Sequence, residues 1–110
     1  MKEVKRPWGN FKEFAKNKKC TVKILIINPH EELSLQKHKK RSETWYFLTP
    51  GIVQLKNRKL NIKKGSLIKI NKNQPHRIIA LKNPVQILEI SFGNFSEKDE
   101  IRIEDKYGRK

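Results

Sequence analysis

Apolar residues in this chain recur at every second position in short runs, and each run is cut off by Pro, Gly or Asn. That pattern constrains the fold more than any other feature. A period of two lays one face of an extended strand against a core, whereas an amphipathic helix needs a period of about 3.6. "TVKILIIN", residues 21–28, reads as a strand ended by Pro29, and residues 33–38 alternate with Leu33 and Leu35 on one face and Ser34, Gln36 and His38 on the other. After a basic loop at 39–42, "ETWYFLT" reads as a strand stopped at Pro50-Gly51, and "IVQLKNRKLNI" as a hairpin about Asn57-Arg58. Lys64-Gly65 turns the chain into "SLIKI"; "HRIIAL" and "VQILEISF" follow, joined at Lys82-Asn83-Pro84. Short strands at this spacing predict an all-β jelly-roll sandwich or barrel.

A chain of 110 residues supports one core. The expected organisation is a single domain: an N-terminal edge segment over 1–15, a barrel over 16–93, and a short irregular or helical tail over 94–110. Trp8 in the first segment is expected to anchor a barrel end or a dimer contact. The tail carries five of the chain's 11 acidic residues, and Ser96 with Asp99 is placed to cap a helical turn. No apolar run approaches the roughly 20 residues of a membrane-spanning helix, and the start lacks a secretory apolar stretch. The expectation is a cytoplasmic protein with no membrane partner. Cys20 is alone, which excludes an internal disulfide and leaves it the role of a small hydrophobe.

A formal charge of +15 invites an anionic partner, and a basic nucleic-acid-binding β-barrel is one reading of it. However, only six of the 26 basic residues are Arg, and the lysines are spread along the whole chain instead of gathering on one stripe with aromatics between them. Nucleic acid is therefore not the expected partner.

The stretch "LSLQKHKKRSETW", residues 33–45, sets a Gln, a His and a Glu among four basic residues. Gln36 and His38 share a strand face. Glu43 lies five residues beyond His38, so a hairpin through 39–42 is needed to bring it back to that face. A second imidazole is available from His76, which opens a strand directly after Pro75. Together these supply four nitrogen and oxygen donors suited to Zn²⁺, Fe²⁺, Mn²⁺, Co²⁺ or Ni²⁺, with room for water or substrate. Each residue also has an ordinary use: Gln36 and His38 on a wet strand face, and Glu43 as an ion-pair partner of Lys39, Lys40 or Arg41.

With these residues assembled, the sequence resembles the cupin superfamily. Gln36-Lys37-His38, four residues and then Glu43 fit its first motif, with Gln in place of the first His; Gly65, "SLIKI", Asn71-Lys72-Asn73, Gln74-Pro75 and His76 match the length of its second. Within cupins the chain is most similar to the mannose-6-phosphate isomerase domain that follows a guanylyltransferase domain in bifunctional type II enzymes. "RPWG" at 6–9, "QPHR" at 74–77 and "DEIRIEDKYGR" at 99–109 carry that likeness over nearly the whole length. The resemblance implies that Gln36, His38, Glu43 and His76 ligate a divalent metal, zinc first among the candidates. It points to Arg41, Arg102 and Arg109 for substrate phosphate or catalysis, and it implies a homodimer. This chain departs from relatives at Lys39, Lys40 and Thr44, where they commonly carry His, and at Asn71 and Asn73, which replace Pro and Gly.

The activity so implied moves a proton between C1 and C2 of an open-chain sugar phosphate, mannose 6-phosphate to fructose 6-phosphate. Arg suits the phosphate through its planar, bidentate donors. For the base, Lys39 or Lys40 with a lowered pKa, Glu104, Asp105 and water activated by the cation all stay open. Trp45 and Phe47 share the parity of Glu43 and fall either on the pocket wall or in the barrel core. A cupin that acts on or binds another sugar phosphate or a sugar nucleotide is the alternative. Any guanylyltransferase activity is expected on a separate chain.

Overall fold

The computed structural model describes residues 1–93 and 95–109; residues 94 and 110 of the expected tail lie outside the described residues. Eleven strands and one 3₁₀ turn build it. β1 (Lys2–Arg6) and β2 (Gly9–Glu13) form a hairpin whose turn is Pro7-Trp8. Four strands make one sheet in the order β3 (Cys20–Ile27), β10 (Val85–Gly93), β5 (Arg41–Phe47), β8 (Leu67–Ile70). Five make the other in the order β11 (Glu100–Glu104), β4 (Leu35–His38), β9 (His76–Ile79), β6 (Gly51–Leu55), β7 (Arg58–Ile62). All of these pairings are antiparallel.

The core lies between the two sheets. Ile27, Trp45, Phe47, Ile70, Val85 and Ile87 from one sheet meet Val53 and Ile78 from the other, with Ala80 just beyond β9. Full burial of one such large apolar side chain contributes about 1.5–3 kcal/mol. Trp45 and Phe47 are both fully buried core residues.

Period-two patterning continues past this apolar block and changes character. On β5 the inward positions run Arg41, Glu43, Trp45, Phe47; on β10 they run Val85, Ile87, Glu89, Ser91. One end of the interior is hydrocarbon and the other is ionisable. Glu89 stands opposite Trp45 on one side and Lys23 on the other, and Ser91 stands opposite Glu43.

Four expectations change. β4 and β5 do not form a hairpin: the turn at Lys39-Lys40 carries the chain from one sheet to the other, so His38 and Glu43 face each other across the interior. Leu33 does not lie opposite Ser34 and Gln36, because β4 begins only at Leu35; Leu33 lines the same cavity as both. The tail opens with the 3₁₀ turn Glu97–Asp99, on which the Ser96 hydroxyl accepts from the Lys98 N–H at 3.3 Å, and then continues as β11 paired to β4. Trp8 does not pack at a barrel end; it is 73% exposed at the β1–β2 turn.

Candidate metal centre and its cavity

β4, β5 and β9 bring His38, Glu43 and His76 to one point, fully buried, with one donor atom from each within 4.8 Å of the others. Backbone geometry fixes the second histidine. The chain turns through Asn73, whose φ is +63°, and the Asn73 N–H donates to the His38 carbonyl at 2.7 Å. Asn tolerates that left-handed conformation better than other side chains with a Cβ, which suits it to this turn. Gly65 does the same at φ +85°, its N–H donating to the Phe47 carbonyl at 2.8 Å.

His76 Nδ1–H donates to the Gln74 carbonyl at 2.7 Å, which fixes the tautomer and turns a bare Nε2 inward. Glu43 Oε2 is held by Arg41 Nε at 3.3 Å and by the Ser91 hydroxyl at 3.4 Å. Its other oxygen, Oε1, lies 3.2 Å from His76 Nε2 and 3.7 Å from His38 Nε2. Oε1 and His76 Nε2 are buried and take part in no hydrogen bond among the described residues.

Two lone-pair donors facing each other in a dry interior cost energy unless a cation or proton joins them. A tetrahedral divalent ion with bonds of about 2.0–2.1 Å separates its ligand atoms by about 3.3–3.4 Å, close to these spacings. The three residues therefore fit a divalent metal. Burial pushes the His38 pKa down to about 4 against the pull of Glu43, with the charge of Arg41 adding to the push, so the imidazole is neutral at pH 7. Burial alone raises the Glu43 pKa, but His76, His38 and Arg41 outweigh it and hold the carboxyl below its ordinary value.

Gln36 pairs with His76 across β4–β9. Its carboxamide bonds the Ser34 hydroxyl at 2.9 Å, and with the nitrogen turned outward it donates to Glu100 Oε1 at 2.7 Å. The structure thus gathers His38, Glu43 and His76 in one cluster, and Gln36 stands opposite His76 with its carboxamide bonded to Ser34 and Glu100 on the wall of the adjoining cavity.

That cavity, about 390 Å³, is lined by Gln36, Glu43, Glu89 and Glu100 and by four cations, Lys23, Arg41, Arg102 and Arg109. Arg41 reaches the His38–Glu43–His76 cluster. Its Nη2 donates to His38 Nε2 at 3.3 Å and its Nη1 to the Ser96 carbonyl at 3.0 Å, and its guanidinium lies 4.4 Å from the centre of the Phe95 ring. Arg102 pairs with Glu100 at 2.7 Å and stands beside Gln36 in the β11–β4 register. Arg109 binds both oxygens of Asp105, at 2.8 and 3.1 Å, and that hydrogen bonding takes the Asp105 pKa down to about 2.

The structure does not bring Lys39 to this cavity. Lys39 and Lys40 line a separate depression with Ser96, Lys98, Asp99 and Ile101, and their backbone N–H groups donate to Asp99. Glu104 is bonded to Arg77 instead. Sequence reasoning missed Glu89. It lines the cavity while only 7% exposed, and among the described residues one hydrogen bond holds it, from Trp45 Nε1 to Oε2 at 3.2 Å. Burial, reinforced by the charge of Glu43, raises its pKa to about 7 against the pull of Trp45, Arg41 and Lys23. A carboxylate on the inward parity of an apolar strand, two residues from Ile87, is the signal the sequence carries for it.

Comparisons with known proteins bear on the family and the fold. The profile of the family described as "Mannose-6-phosphate isomerase C-terminal" matches residues 1–105. The chain is 34% identical to the alginate biosynthesis protein AlgA of Pseudomonas aeruginosa over 113 residues, 97% of this chain and 23% of that protein. It is 30% identical to the mannose-1-phosphate guanylyltransferase ManC of Salmonella typhimurium over 118 residues, 98% of this chain and 23% of that protein. The chain spans about a quarter of the length of these relatives. Among solved structures, the capsular polysaccharide assembling protein CapF of Staphylococcus aureus superposes with a TM-score of 0.71 at 16% identity, covering 94% of this chain and 34% of CapF. A protein with a double-stranded β-helix domain from Klebsiella pneumoniae gives 0.69 at 15% identity, covering 83% of this chain and 80% of its own. These likenesses place the fold among the cupins.

Proposed function

We propose, from the premise that this chain belongs to the mannose-6-phosphate isomerase C-terminal family, that it interconverts an aldose and a ketose phosphate, mannose 6-phosphate and fructose 6-phosphate, with the help of a divalent metal. The observation that carries this reading is the pair of buried atoms Glu43 Oε1 and His76 Nε2, unbonded among the described residues and set beside His38, with Glu43 itself on the wall of a cavity that four cations line. His38, Glu43 and His76 would hold the ion, with Gln36 the neighbouring neutral donor. Bound there, a divalent ion supplies Lewis-acid stabilisation of negative charge that develops on sugar oxygens.

The remaining tasks fall to the chain's own side chains. Arg102 and Arg109 present guanidinium groups at the cavity wall, a shape that grips phosphate through paired N–H donors. Arg41, buried against Phe95 and Glu43, keeps a positive charge next to the reacting end. The apolar side chains Leu25 and Leu33 restrict water around the sugar, which strengthens every charge interaction inside.

The test is a coupled assay of mannose 6-phosphate conversion with added Zn²⁺, Co²⁺ or Mn²⁺. Turnover that His38→Ala and His76→Ala each abolish supports the isomerase. Binding of sugar phosphates with no turnover under any metal favours a cupin that only binds them, or acts on another sugar phosphate or sugar nucleotide.

A further inference from the structure

We infer that the carboxylate of Glu89 is the group that carries the proton between C1 and C2 of the sugar, an assignment that rests on the isomerase reading above. Such a reaction needs one base on one face of the open-chain substrate, inside the cavity and shielded from bulk water. The alternatives that the sequence offered are turned elsewhere. Lys39 and Lys40 line another depression, Glu104 is bonded to Arg77, and Asp105 is clamped by Arg109.

Three carboxylates line the cavity, and two of them are committed. Glu43 is held by Arg41 and Ser91 on one oxygen and faces two imidazoles with the other. Glu100 is paired with Arg102 and accepts from Gln36. Glu89 has its single hydrogen bond from Trp45 at Oε2, and Oε1 has no hydrogen-bond partner among the described residues. One oxygen is anchored and the other is left for chemistry.

The step balances on this one group. Glu89 takes the proton from C2; the C2–H electron pair becomes the C1=C2 bond, and the C1=O1 π pair moves onto O1. The hydroxyl proton of O2 passes to O1. The C1=C2 pair then takes the proton back from Glu89 at C1 as O2 becomes the carbonyl, and Glu89 returns to the carboxylate. A base that must both accept and return a proton near neutrality works best with a pKa above the ordinary carboxylate range, and burial, the largest cause, shifts Glu89 in that direction.

The experiment uses the zinc-loaded full chain in D₂O with mannose 6-phosphate and, separately, fructose 6-phosphate. NMR follows both interconversion and deuterium entry at C1 and C2. Zinc stoichiometry and sugar-phosphate affinity are measured alongside. Glu89→Gln keeps the shape and the acceptor for Trp45, and is expected to lower interconversion and exchange together by about 10²–10⁴-fold. One zinc per chain and a substrate Kd within about threefold of wild type should accompany that loss. Glu89→Asp, which shortens the arm, is expected to retain intermediate activity. Active wild type with an equally active Glu89→Gln overturns this inference alone, as does loss of activity that merely tracks loss of zinc in both variants. Wild-type protein that neither interconverts nor exchanges deuterium overturns the isomerase reading, and this assignment with it.

Discussion

Trp45 and Glu89 lie directly opposite each other on β5 and β10, and the indole N–H donates to the Glu89 carboxylate at 3.2 Å. The same indole packs edge-on against the ring of His76, with centroids 5.3 Å apart. One buried aromatic thus steadies a histidine of the metal cluster and the neighbouring acid at once. Trp45→Phe keeps an aromatic ring in the core and deletes the donor. Because the Trp45 bond lowers the Glu89 pKa, its removal should move the acid limb of the pH–rate profile to higher pH. Loss of a bond to a buried carboxylate should also cost about 1–3 kcal/mol of stability. Urea denaturation and a kcat/KM pH profile read the two effects.

Zinc titration by calorimetry should give one ion per chain. Glu43→Gln, His38→Ala and His76→Ala each remove a donor from the cluster, and each should weaken binding by more than about 100-fold, beyond the 10–100-fold typical of losing an outer-shell partner. Since His38 stays neutral down to about pH 4, proton competition at that residue should set in only well below neutrality. Affinity that drops steeply between pH 7 and 6 at His38 would contradict the burial described here.

Glu89 gives stability a pH dependence with an unusual sign. Its ordinary pKa is 4.5 and its folded value is about 7, so between those limits the folded chain holds a proton that the unfolded chain has released. Stability from this group is therefore complete below pH 4.5 and is lost as pH rises through 7, by about 3 kcal/mol in all. Glu89→Gln should remove that loss. Metal-free variant and wild type should match near pH 4.5, and the variant should be the more stable by an amount of that order at pH 8, as measured by urea midpoints.

Asp99 ties the tail to the turn that carries the chain between the sheets, accepting the Lys39 and Lys40 backbone N–H groups at 3.0 and 2.9 Å. Asp99→Ala should cost about 1–2 kcal/mol and speed amide exchange in β11. The metal cluster sits deeper, so zinc affinity should change far less than in the His38 and His76 variants.

How much of this was legible in the sequence depends on range. Strand periodicity is a local signal, so the positions of Glu43, Trp45 and Phe47 on one face of β5 could be read from parity alone. The sheet to which a strand belongs is a long-range fact: nothing within residues 38–43 distinguishes a hairpin from the crossing between sheets that places His38 opposite Glu43. The same limit hid Glu89, whose partners Trp45 and Lys23 come from strands far away in the chain. It also hid β11, a short charged segment that is a strand because β4 offers it an open edge. Asn73 shows the converse, since a residue that looked like a defect in the second motif adopts the backbone angle which that position requires.

The placement of Arg41 bears on how the centre fills. Its guanidinium already occupies the lone pair of His38 and half of the Glu43 carboxylate. The chain thus keeps a positive charge of its own against two of the residues that would hold an ion, while Glu43 Oε1 and His76 Nε2 are left facing one another. An ion that used His38 Nε2 would compete with Arg41 for the same lone pair, so Arg41→Ala should raise zinc affinity at the cost of one of the bonds that hold Glu43 Oε2.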